Sequence, residues 1–414
     1  MARILAYTTP ATGHVFPLVP GLLALKDRGH EVRLVGSADH VDELRAAGLE
    51  AVAVDPSTAK AIKDYEVQGR DRPHRGLHDL LGRGDAQRAD LERHIAAYRP
   101  DALLIDTIAY GAAIGAEKSG LPWVSITPSL IPFPGKGIPP YGLGLKPMRG
   151  PLGFLRDKLL FKVVLREYTK AMLPRLNALR ANAGLEPVAD PIANLYRPDR
   201  ILALTGAPLE YARVDTPAHV RFVGAQLWDP PAQTPAWLDE PGDPWVLVTC
   251  STEYQGDEAL AATAIEGLRG EPVRVIVTLA DAAQGASELP RADNVRVERF
   301  VAHGPVLERA AAVVCHGGMG IVQKAVAAGV PIVAVPFGRD QPEVGRRIAE
   351  AGAGVLVKQK DLSAARIRSA VRQARLMRPV VVSSGGPASF AGAVEEIIPA
   401  GLELEAHCDR SLIS

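Results

Sequence analysis

The chain has 414 residues, too many for one ordinary core and enough for two domains. Nearly half of it is hydrophobic and its formal net charge is zero, so it lacks the global basic field that nucleic-acid binding uses. Aromatic residues make up 5%, too few for a base-stacking platform.

The opening MARILAYTTP reads as a short strand and not as a signal peptide. The first half alternates apolar runs (RILAYT, EVRLVG, EAVAVD, ALLID and WVSIT) with helical stretches such as 18–28 and 85–98. Strands apolar on both faces, alternating with helices, predict a parallel α/β sheet. No apolar run reaches the roughly 18 residues of a spanning helix.

In such sheets ligands sit at the carboxyl ends of strands. The first of these ends, TTPATGHVFP, lacks the G-x-G-x-x-G fingerprint of dinucleotide enzymes but sets Gly13 and His14 at the start of a helix. His14 is either a crevice base with a near-neutral pKa or a capping and packing histidine. Asp106 ends ALLID, where its carboxylate can steady a histidine or cap the helix starting near Ala109.

After WVSIT comes IPFPGKGIPPYGLGLKPMRGP, a Pro/Gly-rich loop, and then a basic amphipathic stretch to Arg180. From Lys146 to Arg180 nine Lys/Arg face only Asp157 and Glu167. That pattern is either a solvated helix face or a weak membrane contact through 146–180. Two further strand-like runs, ILALTGAPL and VRFVG, lead to the proline-rich WDPPAQTPAWLDEPGDP, which reads as a linker. The predicted division is 1–224, linker 225–243, second domain 244–400 and a polar tail 401–414.

The alternation then restarts with WVLVTCST, VRVIVTL, NVRVERF, AAVVCHG, PIVAVPF and AGVLV. Ser251 and Thr252, after the first of these, suit either a phosphate or the N-cap of the helix starting near Asp257. VVCHGGMG ends a strand in His316, Gly317 and Gly318, with Met319 and Gly320 opening a helix. Two adjacent glycines weaken both strand and helix, so a close backbone approach to an anion at the helix N-terminus is expected. Downstream, Asp340 and Gln341 in VPFGRDQPEVGRR offer the donors and acceptors that suit a polyhydroxylated ligand. Cys250, Cys315 and Cys408 match no zinc or disulfide spacing, which points to a reducing, cytoplasmic setting.

TTPATGHVFPLVPGLLAL with GHEV, and VVCHGGMGIVQKAVAAGVPIVAVPFGRDQPEVGRRIAEAGAG, together resemble the macrolide-type branch of nucleotide-sugar glycosyltransferases with the GT-B fold. The resemblance runs from Ile4 to about Ile397. It implies two Rossmann-like domains facing across a cleft, the first holding the acceptor and the second the donor. It makes His14 the general base and Asp106 its acidic partner. It places the diphosphate at His316, Gly317 and Gly318, beside Met319 and Gly320, and the donor sugar at Asp340 and Gln341. Phe300, beside Val301, falls where plant relatives stack a tryptophan on the nucleobase. Lys324 stands where many relatives carry a ribose-binding glutamate, and an ammonium there would attract phosphate instead. Ile321 replaces a frequent Ser or Thr.

The expected enzyme is an inverting, metal-independent glycosyltransferase with a UDP- or TDP-sugar as co-substrate and no other cofactor. Its acceptor is expected to be an apolar, polycyclic or macrocyclic natural product. The alternatives are a lipid-directed glycosyltransferase or nucleotide-sugar epimerase on the same fold, and a non-catalytic helper that binds a partner enzyme. A monomer or a homodimer is compatible with the sequence.

Overall fold

The computed structural model describes residues 1–58, 73–213, 215–251, 258–279, 289–380 and 385–399. Thr252 and Cys408 lie outside them. The first sheet contains β1 (Arg3–Tyr7), β2 (Glu31–Gly36), β3 (Glu50–Ala53), β4 (Ala102–Asp106), β5 (Trp123–Thr127), β6 (Arg200–Ala203) and β7 (Val220–Phe222). Its spatial order is β3-β2-β1-β4-β5-β6-β7. The second contains β8 (Trp245–Thr249), β9 (Arg274–Thr278), β10 (Val295–Glu298), β11 (Ala310–Cys315), β12 (Ile332–Ala334) and β13 (Gly354–Leu356), ordered β10-β9-β8-β11-β12-β13. All of these pairs are parallel. The two doubly wound α/β sheets are those expected from the alternating pattern, and the apolar runs supply the strands.

Successive strand residues point to opposite faces, so the central strands feed two cores. In β1, Ile4 and Ala6 join Leu22 and Leu34 on one face, while Leu5 and Tyr7 join Leu91 and Leu103 on the other. In the second sheet, Leu247 and Val313 pack on one side, and Val246 and Val314 on the other. Burial on both faces is why these runs are almost unbroken in Val, Ile, Leu and Ala.

Two segments cross between the sheets. The helix Pro387–Glu395, late in the chain, packs on the first sheet: Phe390, Ala391 and Val394 are buried with Ile4, Leu22 and Leu25. A Cβ on Gly21 would lie 2.4 Å from the Phe390 ring, so glycine there is what admits the aromatic. In the other direction, the Pro/Gly-rich loop after β5 reaches the second domain. Leu130 is buried in the second core, and Tyr141 packs against it. The backbone of Gly144 bonds the helix Gln341–Glu350 twice, donating N–H to Glu343 at 3.2 Å and accepting from Arg346 at 3.1 Å.

Candidate active site

Both sheets reverse their winding once, between β1 and β4 and between β8 and β11. Such a reversal opens a crevice at the carboxyl ends of the strands, because the flanking helices depart to opposite faces. Four of the residues singled out from the sequence stand at these two crevices. His14 follows β1 and Asp106 ends β4, adjacent parallel strands. Ser251 follows β8 and His316 follows β11, again adjacent.

Nδ1 of His14 lies 3.0 Å from Oδ1 of Asp106. The imidazole is partly open to solvent, whereas the carboxylate is fully buried. Burial raises the pKa of Asp106, but the facing imidazole and the hydrogen bonds from His14 and Thr9 outweigh it and hold the carboxyl below its usual range. Oδ2 accepts from Thr9 Oγ1 at 2.6 Å, the Thr9 N–H at 3.1 Å and Thr8 Oγ1 at 3.4 Å. Oδ1 also receives the Ile108 N–H at 3.3 Å. An ionised carboxylate only accepts, so it holds the His14 proton on Nδ1 and leaves Nε2 a lone pair. The pair therefore has the chemistry of a general base with an orienting acid.

The glycine corner answers to three constraints. Gly317 has φ +90°, a left-handed conformation that favours glycine. A Cβ on Gly318 would meet Nε2 of His316 at 2.3 Å, while one on Gly320 would meet nothing within 4 Å. The space over Gly320 is thus open at the start of the helix Met319–Ala327. The first-turn N–H groups at Met319, Gly320 and Ile321 have no acceptor within the helix and sit at the positive end of its dipole. That is an anion cradle.

His316 contributes differently from the expected phosphate donor. Burial lowers its pKa to about 4, against the attraction of Asp340 and a hydrogen bond to the Thr249 backbone. The ring is therefore neutral at pH 7 and has a single N–H. Donation of that N–H to Thr249 leaves the other nitrogen an acceptor. The backbone of the helix, and not the ring, is the source of donors here.

Asp340 and Gln341 sit where the domains meet. Ser129 Oγ, from the loop after β5, donates to Oδ2 of Asp340. Gln341 is buried, and its amide oxygen accepts from the N–H groups of Phe337 and Gly338 at 2.8 and 3.2 Å. That oxygen shapes its own turn, so Asp340 is the more available of the two for a hydroxyl. Gln323 Nε2 donates to the Leu204 carbonyl, beyond β6, at 2.6 Å. Phe300 is 57% exposed, with its ring open for stacking, while Val301 is buried. Ile321 lies in the second core.

Lys324 departs most from the expectation. Its ammonium lies 2.5 Å from Oδ1 of Asp229, and both side chains are largely covered. The other oxygen of Asp229 accepts the Gly304 N–H at 3.0 Å. Lys324 thus ties the proline-rich segment at Asp229 to the helix Met319–Ala327, and places a carboxylate beside that helix. Nothing in WDPPAQTP distinguished Asp229 from an ordinary linker acid.

A buried ionic group, also missed from the sequence, braces this junction. Arg347 bonds Glu343 at 3.0 Å and Glu210 at 3.5 Å, and its guanidinium stacks 3.5 Å above the Tyr211 ring. Burial raises the pKa of Glu210 despite the attraction of Arg347 and Arg213.

Comparison with known proteins agrees with this arrangement. Residues 270–399 match the family described as erythromycin biosynthesis protein CIII-like, C-terminal domain. The 4'-demethylrebeccamycin synthase of Lentzea aerocolonigenes is 33% identical over 393 residues, covering 90% of this chain and 91% of that protein. Among solved structures, the glycotransferase of kitacinnamycin superposes with a TM-score of 0.76 at 21% identity, over 96% of this chain and 99% of its own. Glycosyltransferase VinC in complex with dTDP does so with 0.64 at 24%, over 95% and 94%. The fold of these neighbours, with the identity to the synthase sustained over nine-tenths of both chains, makes this protein a nucleotide-sugar glycosyltransferase that belongs to the macrolide-type family.

Proposed function

We propose that the protein moves a sugar from a nucleoside-diphosphate donor to a hydroxyl of an apolar natural-product-like acceptor, with inversion at the anomeric carbon and His14 as general base. The observation that carries the reading is the 3.0 Å contact between His14 and Asp106 at the first crevice. Nε2 of His14 takes the proton as the acceptor oxygen attacks the anomeric carbon. The bond from that carbon to the diphosphate oxygen breaks, and its electron pair leaves with the nucleoside diphosphate. Asp106 stabilises the imidazolium that forms. The N–H groups at 319–321 face the charge that grows on the leaving diphosphate. Asp340 holds a hydroxyl of the donor sugar and Phe300 stacks on the base.

Thymidine diphosphate is the favoured donor nucleotide, since VinC is in complex with it, and the synthase's name motivates an aglycone of the demethylrebeccamycin kind. The test is a panel of dTDP- and UDP-sugars against a panel of aglycones, with products read by mass spectrometry and anomeric configuration by NMR. A glycoside of inverted configuration, absent with His14→Ala, is expected. A retained configuration would overturn the direct displacement, and unimpaired turnover by His14→Ala would remove the base.

A further inference from the structure

The transfer reaction leaves one cluster of apolar side chains without a use. Among the described residues, eight of the thirteen large apolar side chains exposed to solvent fall between Leu143 and Tyr168. Scattered singly they would be ordinary, but gathered in one segment they form a patch. Most lie on the first half of the helix Gly150–Asn182. The second half is anchored: Met172, Leu176 and Leu179 are buried with Leu81 and Tyr110.

In the first half only Gly153 and Asp157 are buried, four residues apart and so on one side. At 3.6 residues per turn, Leu155 and Leu159 stand about 200° round the axis from them. Leu152, Leu155, Leu159 and Val163 are 75, 52, 55 and 52% exposed. They make a stripe that faces away from the body of the protein, and hence away from the cleft.

Five cations, Arg156, Lys158, Lys162, Arg166 and Lys170, are interleaved with that stripe. The carboxylates nearby are spoken for. Asp157 is buried against Arg156 at 2.7 Å, and Glu167 is shared by Arg166 and Lys170 at 3.2 and 3.3 Å. Lys158 and Lys162 make no ion pair among the described residues. In a chain whose net charge is zero this is a local concentration of positive charge.

We propose that this helix face docks on an anionic lipid surface, lying in its plane with Leu152, Leu155, Leu159 and Val163 among the acyl chains and the cations at the headgroups. The charge pattern chooses this occupant. A second copy seated face to face would bring Lys158, Lys162 and Arg166 against their own kind, whereas acidic headgroups neutralise them. No described helix is long and apolar enough to cross a membrane, so the contact is interfacial.

The experiment is co-sedimentation of the full chain with vesicles of phosphatidylcholine alone or mixed with phosphatidylserine. Partitioning onto the acidic vesicles should exceed that onto the neutral ones by about tenfold or more and should weaken as salt rises. Leu155→Glu/Leu159→Glu should abolish it, and Lys158→Glu/Lys162→Glu should remove the preference for acidic lipid. Both variants should keep the wild-type melting temperature and turnover of a water-soluble acceptor. No binding to acidic vesicles at low salt would overturn the proposal, and so would binding that the leucine variant retains. A dimer in light scattering that the leucine variant dissociates would assign the stripe to a second copy and equally overturn it.

Discussion

Replacing Asp106 by asparagine changes one oxygen to an amide nitrogen in a fully buried site, and the hydrogen-bond map shows where that nitrogen must go. Oδ2 gathers three donors, one of them at 2.6 Å, whereas Oδ1 receives only the His14 ring and the longer bond from Ile108. The asparagine carbonyl therefore takes the Oδ2 position, and its NH₂ turns to His14. Nδ1 of His14 must then accept, which moves the ring proton to Nε2, the nitrogen that takes the acceptor's proton in the proposed mechanism. The imidazolium also loses a charge-assisted hydrogen bond, worth about 1.5–3 kcal/mol. The turnover number should fall by about 10²–10⁴-fold, as much as general-base catalysis contributes. The assay is product formation at saturating donor and acceptor, with dTDP affinity measured by calorimetry in parallel. Affinity should stay unchanged, because the proposed diphosphate site lies at the glycine corner of the second sheet. A variant within a few-fold of the wild-type rate, while His14→Ala is crippled, would refute the tautomer argument.

Three further outcomes follow from the geometry. His316 has its pKa lowered from 6.5 to about 4 in the folded protein, so the unfolded chain binds more protons between these values. Stability is then fully present above pH 6.5 and is lost as pH falls towards 4, by at most about 3 kcal/mol; urea unfolding of His316→Asn should show a correspondingly flatter pH dependence over that window. Arg347→Met leaves buried Glu343 without its cation, while Glu210 keeps Arg213 at 4.0 Å, and should cost about 3–5 kcal/mol, read as a drop in the denaturation midpoint; a loss below about 1 kcal/mol would mean that the junction is hydrated. Lys324→Met and Asp229→Asn should be coupled by about 0.5–3 kcal/mol in a double-mutant cycle on dTDP binding, and strictly additive effects would show that the pair plays no part in the donor site.

The central strands were legible because burial on both faces gives them nearly unbroken apolar runs. His14 and Asp106 were legible because strand ends are where parallel sheets bind ligands, although only the β1–β4 pairing brings residues 92 apart in the chain into contact. The glycine corner could be read as a backbone demand, but not that Gly318 yields to the His316 ring. What stayed hidden depends on partners far along the chain. Glu343 and Arg347, four apart on a helix, look like a surface pair until Glu210 is placed beside them. Lys324 looked free because Asp229 lay in a proline-rich linker. The helix Pro387–Glu395 carries no sign of which sheet it will cover, since an apolar face fits either.

That last helix has a consequence for the order in which the molecule can be made. The first sheet emerges from the ribosome well before Phe390, which fills the space that Gly21 leaves open, and before Glu395, which bonds Arg28 and His30. Until the second domain has been synthesised, the part of the helix Val19–Asp27 that Phe390 covers, around Gly21, faces water. The nascent first domain is thus a sheet with one wall missing, and a severed 1–224 fragment would expose the same gap. The two halves look like separable units joined by a linker, but the chain closes as a clasp, and completion of its earliest-made core waits on some of its last-made residues.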